Sequence, residues 1–416
     1  MISAASTFRL SLARIPIAVW RILFHSFLYG FALSIADILF NFYLVSQGYT
    51  VNDVGLLSMV SRAAGMLMGL PIGWLIDRLG PQKAMIAGVV GYALGWVALL
   101  QAPVLLWLIV AQFVVGACYL LAATAVTPLL AQVTSEAQRP FVFGMNASAT
   151  LVVGLLGSAV GGVLPTLAAG IVAVDPQSTT AYRLALTTVI GLSVVALLPV
   201  LTRIPVAIES SGAQSADLAV PSRHSWSMLI WLAMPSFLLG IGGGAILPFQ
   251  NLFFRDQFGL SDASVGMALA VASVGGGIGA LVGAPVVRRI GLQRGAALLR
   301  LGATPAMLLM LTPWLPLAII GFFARGFFVA ASYPMNDALV MGATPPSQRG
   351  LAMSLMSLLW AGGWAVSAVI WGWVAPMFGY WPQIVAAAMA YALSALTILS
   401  LRLQRSVGQT TVQEQA

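Results

Sequence analysis

The chain has 416 residues, 60% of them hydrophobic and 7% charged, with a mean hydropathy of +0.97; it is more apolar than a soluble globular protein and reads as a bilayer protein. Its net charge of +8 is scattered between apolar runs rather than gathered on one face or in a tail, which argues against nucleic acid and leaves the lipid bilayer as the large-scale partner. Cys118 is the single cysteine, so no disulfide can form within the chain.

A bilayer core of ~30 Å requires about 20 apolar residues per helix, and twelve such windows follow one another. The first, 18–46, is too long for the apolar part of a signal peptide and ends without a small-residue cleavage site, so it is expected to be a retained span. It carries Asp37, and the second window, 54–76, carries Arg62 at a matching position. At 1.5 Å per residue both lie ~12–14 Å from the same end. A charge at that depth must be paired or face water. The two are therefore read either as an ion pair or with Asp37 as a carboxylate that binds protons or substrate. Gly65, Gly69 and Gly73 recur every four residues and make a small-residue stripe that lets another helix approach.

Windows 83–101, 104–132, 141–165 and 182–201 complete a first bundle, residues 1–201, and the polar stretch 202–227 reads as a flexible linker. The second bundle, 228–402, opens with window 228–256, where Gly240, Gly242, Gly243, Gly244 and Pro248 must loosen the helix. A loosened helix is tolerated only against protein or a water-filled cavity, which makes Gln250 and Asn251 candidate lining groups. Windows 264–287, 294–312 and 315–343 follow. Arg300 and Asp337 form a second depth-matched pair, ~9 Å from the other end, read as structural. Arg325 has no acid at its depth, so it is read either as structural or as the group that holds an anionic part of the substrate or tunes a carboxylate. Tyr333 and Asn336 are further lining candidates. Windows 350–375 and 381–402 end the second bundle before the tail 403–416, and Trp360, Trp364 and Trp371 are read as lipid-facing packing ahead of stacking surface.

Fourteen of the 19 basic residues fall on one side if the N-terminus is cytoplasmic, with Arg183 and Arg255 near outer ends. This bias predicts both termini in the cytoplasm, in a cell (inner, cytoplasmic) membrane. The two bundles are also copies. At a shift of 211, Gly259 falls on Gly48, Gly266 on Gly55, Arg289 on Arg78, Gly291 on Gly80 and Arg294 on Lys83; at 210, Gly326 falls on Gly116 and Arg349 on Arg139. Parallel six-helix copies with a midplane site between them are a transporter architecture.

Between its second and third windows the chain reads Gly73, Leu75, Asp77, Arg78, Gly80 and Lys83, which matches G-x-L-x-D-R-x-G-R-K/R and resembles the major facilitator superfamily. Pro81-Gln82 depart from the usual basic pair, and Arg288 takes the place of the acid in the second copy. The resemblance implies an all-α membrane protein of 12 transmembrane helices in two pseudo-symmetric six-helix bundles, bacterial and monomeric. It also implies a conformational latch, made when the transporter faces outward, from Gly73, Asp77, Arg78, Gly80, Lys83, Arg139, Arg289, Gly291 and Arg294. Proton-coupled relatives carry an arginine four residues before a glycine in helix 4, where this chain has Gln112 before Gly116. Antiporters of the family carry G-P-x-x-G-G in helix 5, and the chain reads Gly157-Ser158-Ala159-Val160-Gly161-Gly162.

No phosphate-binding loop, zinc-helix motif or nucleophile elbow is present, and His25 and His224 are the two histidines, so no cofactor, metal site or catalytic residue is expected. The expected function is secondary active transport of a small organic solute that is neutral, weakly cationic or amphipathic. Coupling is expected to be to protons, with sodium the alternative, in the direction of efflux. Uptake by a symporter or uniporter, and a non-transporting sensor or lipid-handling relative, are the competing readings.

Overall fold

In the computed structural model, which describes residues 15–135, 138–205, 223–345 and 348–401, twelve helices cross the molecule and no strand forms among the described residues. They are α1 (Ile17–Ser46), α2 (Val51–Leu79), α3 (Pro81–Leu100), α4 (Leu105–Val133), α5 (Arg139–Val172), α6 (Thr179–Leu201), α7a (Arg223–Ile246) with α7b (Gln250–Phe258), α8 (Asp262–Ile290), α9 (Leu292–Leu309), α10 (Leu315–Ala343), α11 (Arg349–Phe378) and α12 (Trp381–Ser400). Residues 206–222 of the expected linker and all of the tail 403–416 lie outside the described residues. Eleven of these spans are long and apolar enough by themselves to cross a membrane. The twelfth, α9, is the shortest and contains Arg294 and Arg300. It holds its place by packing against α10 and α12. The protein is a multi-span membrane protein.

The turns show why the sequence stops and restarts each helix. Gly48 and Gly259 have φ of 88° and 63°, and Gly80 and Gly291 have φ of 81° and 82°. Only glycine enters that region freely, so these four repeat-related positions set the same turns in both halves. After the first turn, Thr50 and Asp53 form a capping box, with the Thr50 amide donating to Asp53 Oδ2 at 2.8 Å. In the second copy, Ser261 takes the place of Thr50 and its hydroxyl lies 3.0 Å from that of Ser264.

The expected break in the seventh span is present as a single 3₁₀ turn, Leu247–Phe249, between α7a and α7b. The glycines before it serve a purpose beyond loosening. A Cβ on Gly240 or Gly244 would run into the backbone carbonyl of Trp360 or Trp364 on α11, and one on Gly242 into the Tyr391 ring of α12. Close helix approach is what these positions require.

The ends bearing the N-terminus, the inter-bundle stretch and the α2–α3 and α8–α9 turns form one face of the bundle, here called the linker end. Two glutamines fasten it. Gln82 Nε2 donates to the Val200 and Thr202 carbonyls at 2.8 and 3.0 Å, and its Oε1 accepts from the Ile204 amide at 3.1 Å. Gln293, 211 positions later, donates to the Ile398 and Leu401 carbonyls, both at 2.8 Å. Each satisfies otherwise orphaned carbonyls at the C-terminal end of its bundle's last helix. Arg21 adds to the first set by donating to the Pro199 and Thr202 carbonyls at 2.6 and 2.8 Å.

Candidate functional site

The halves meet at the end opposite the linker end, through a pair of symmetry-related glycine contacts. A Cβ on Gly55 of α2 would stand 3.1 Å from Gly372 Cα of α11, and one on Gly266 of α8 would stand 2.9 Å from Gly162 Cα of α5. Polar contacts close the same region. Asn41 Nδ2 of α1 donates to the Pro248 carbonyl and to Asn251 Oδ1, each at 2.7 Å, and Asn251 Nδ2 returns a 2.7 Å bond to the Ile38 carbonyl. The Tyr182 hydroxyl of α6 donates to Asp262 Oδ2 of α8 at 2.5 Å. The Arg255 guanidinium lies 4.3 Å from the Phe42 ring centroid and 3.7 Å from Asp256, the single ion pair within 4 Å among the described residues.

At the linker end the motif residues and glycines make no such contacts among the described residues. Asp77, Arg78 and Lys83 are exposed, as are Arg289 and Arg294. Positions Gly69, Gly73, Gly80 and Gly291 have nothing within 4 Å of where a Cβ would stand, and Leu70 is 89% exposed. The stripe expected to receive a neighbouring helix is therefore bare in this conformation, apart from Gly65, which only just meets Leu120. Arg78 rests its guanidinium 5.1 Å from the Trp74 ring of its own helix, and Arg139 Nη2 donates to the Ala131 carbonyl of its own half at 3.2 Å. Among the described residues, no hydrogen bond or ion pair joins the residues expected to form a latch. The described halves are thus joined by close glycine contacts at one end, and the glycine stripe at the other end is bare.

Between the ends, Asp37 and Arg62 are close enough to interact electrostatically but form no ion pair within 4 Å. Arg62 instead crosses to the other half, with its guanidinium 4.4 Å from the Trp364 ring centroid and 5.3 Å from that of Trp360. This corrects two expectations. The cation at this depth is held by π faces rather than by the carboxylate, a contact worth ~2 kcal/mol or more when desolvated. Trp360 and Trp364 belong to the interface, not to the lipid face, and the Trp364 indole donates to Ser58 Oγ at 3.4 Å. Asp37 is exposed towards the space between the helices, with Tyr92 and Tyr119 also within electrostatic range.

The expected Arg300–Asp337 ion pair is also not a contact. Arg300 is fully buried and donates to Ser332 Oγ at 3.0 Å and Ser394 Oγ at 2.7 Å. Two short hydroxyls reach the guanidinium where the half-exposed Asp337 does not. Asn336 donates to Ser236 Oγ at 3.2 Å and so ties α10 to α7a, while Tyr333 is exposed. On α4, Gln112 keeps a buried Oε1 without a partner among the described residues.

Gln250 and Arg325 come together at a cavity of about 240 Å³ between the halves, lined by Ser158 of α5, Leu247, Gln250, Leu269, Ala272, Ser273, Phe322, Arg325 and Gly326. Arg325 is 7% exposed, and its Nε and Nη2 donate to the Tyr391 hydroxyl at 3.1 and 3.0 Å. Ser158 stands where family antiporters carry proline. The neighbouring glycines Gly157 and Gly161 seat α5 against Ser34 and Ile35 of α1.

Duplicated six-helix halves, an interface joined by glycine contacts at one end, and buried charges beside a cavity between the halves define a transporter-type membrane protein. The chain belongs to the Major Facilitator Superfamily, whose profile matches residues 22–234 and 230–415. It is similar to a bacterial homolog of the human lysosomal transporter Spinster in an inward-facing, unoccupied conformation. Their sequence identity is 16% and the TM-score 0.71, covering 92% of this chain and 98% of that one. The nucleoside transporter NupG is similar at 13% identity and TM-score 0.73 over 92% and 99% of the chains. The Escherichia coli fucose:proton symporter FucP is similar at 18% identity and TM-score 0.60 over 93% and 98%. These likenesses concern the fold. A search of curated proteins gives no match.

Proposed function

We propose that the chain is a proton-coupled secondary transporter that moves a small amphipathic organic solute out of the cell by alternating access, acting as a monomer. The observation that carries this reading is the asymmetry of the interface, locked by Gly55–Gly372, Gly162–Gly266 and Asn41–Asn251 at one end and unlocked at the other. The basic residues assign the unlocked end to the cytoplasm, which makes this conformation inward-facing with both termini inside. The fold-level likeness to an inward-facing Spinster homolog supports that assignment. Asp37 is the coupling carboxylate in this reading, because it is exposed towards the inter-helical space with no hydrogen bond or ion pair among the described residues to hold it. The Asp77 region is then the latch of the opposite, outward-facing state.

Gln112 supports a second reading, uniport without an ion, because the arginine of proton-coupled relatives is replaced there. Purified protein in liposomes with an internal pH dye separates the two. Substrate-triggered proton movement in wild type and its loss in Asp37→Asn are expected; substrate flux without proton movement in both proteins would favour uniport.

A further inference from the structure

Arg325 is a buried cation with no carboxylate within 4 Å among the described residues. Its two bonds to Tyr391 occupy Nε and one edge of Nη2. A guanidinium has five N–H donors, so the terminal Nη1–Nη2 edge keeps its donors. Two more polar groups line the same cavity without a hydrogen bond among the described residues, the Gln250 amide of α7b and the Ser158 hydroxyl of α5. Leu247, Leu269 and Phe322 add apolar surface to the same lining. A few convergent polar groups beside apolar side chains are the ordinary design of a small-molecule pocket.

We infer that this cavity takes the anionic head of an amphipathic organic acid, with the terminal edge of Arg325 bonding a carboxylate side by side and the tail lying on the apolar wall. The inference deepens the transport reading and rests on it. Carboxylate geometry matches the planar guanidinium fork, whereas a neutral or cationic head would leave the buried charge uncompensated. The cavity of about 240 Å³ has room for a compact head group. Ser158 and Gln250 come from opposite halves, so a head bound here bridges both and senses their relative position.

The test uses three molecules with one tail, 4-phenylbutyrate, 4-phenylbutanamide and 4-phenylbutylamine, and full-length protein in nanodiscs. Binding is read as the ligand-dependent rise in unfolding temperature. The acid should bind wild type at least tenfold more tightly than the amide or the amine. Arg325→Gln should remove that preference and Arg325→Lys should keep part of it, while the unliganded unfolding temperatures show that each variant folds. Equal binding of acid and amide, or acid binding unchanged in Arg325→Gln, would overturn the proposal. Flux of the same three molecules through liposomes separates it from its parent reading. Acid binding through Arg325 without flux would sink transport and leave the anion site standing. Flux of the amide that ignores Arg325→Gln would do the reverse.

Discussion

The two copies of the helix 2–helix 3 turn are alike in geometry and unlike in charge. Gly80 and Gly291 share a φ of 81–82°, and Gln82 and Gln293 each hold the last helix of their half. The acid, however, occurs once: Asp77 has Arg288 as its counterpart. Features present in both copies build the turn; the feature present in one is free to act. Asp77 is exposed and makes no hydrogen bond among the described residues.

The largest effect should come from filling a glycine contact at the locked end. Gly55→Val and Gly266→Val each push a branched side chain into the backbone of the other half, where overpacking costs ~1–3 kcal/mol or more. They should shift the equilibrium strongly towards opening of that end, seen as new cysteine accessibility there. Gly69→Ala and Gly73→Ala, at open positions, should fold as wild type does. Next in size, Gln82→Ala and Gln293→Ala should each lower stability by a similar ~1–3 kcal/mol, because buried or half-buried carbonyls lose their donors. Thermal unfolding in detergent would show it, and a large difference between the two variants would break the equivalence of the copies. Asp77→Asn should leave unfolding unchanged while slowing transport, and a wild-type rate would remove the latch. The smallest effect should be Thr50→Ala, about 0.5–1 kcal/mol from the lost cap, with Ser261→Ala smaller still.

Much of this was legible in the sequence, for reasons that differ by residue. Eleven of the twelve spans follow from apolar length, α9 being read as a span but lacking that length and apolarity by itself, and the break in the seventh follows from glycine and proline chemistry at Gly240–Pro248. The turn glycines follow from the 211-residue repeat. The interface partners were not legible. Depth along a helix matched Asp37 to Arg62, but depth carries no rotation about the helix axis, and Arg62 points across to Trp360 and Trp364 instead. Arg300 likewise found Ser332 and Ser394. The clamp by Gln82 could have been found, since Gln293 stands at the same repeat distance. The Asn41–Asn251 lock carried a marker of the same kind, since the two asparagines stand 210 residues apart, at the repeat distance.

Alternating access requires the halves to open at one end as they close at the other. Paired spin labels at Leu79 and Ile290 on the linker end, and at Gln101 and Trp314 on the opposite end, in protein with Cys118 replaced by alanine, would measure both gaps by dipolar spectroscopy. All four label positions are exposed. The account predicts a long linker-end distance and a short opposite-end distance in the resting protein, exchanging in opposite directions when Gly55→Val opens the locked end. Distances that stay fixed, or that lengthen and shorten together, would contradict alternating access.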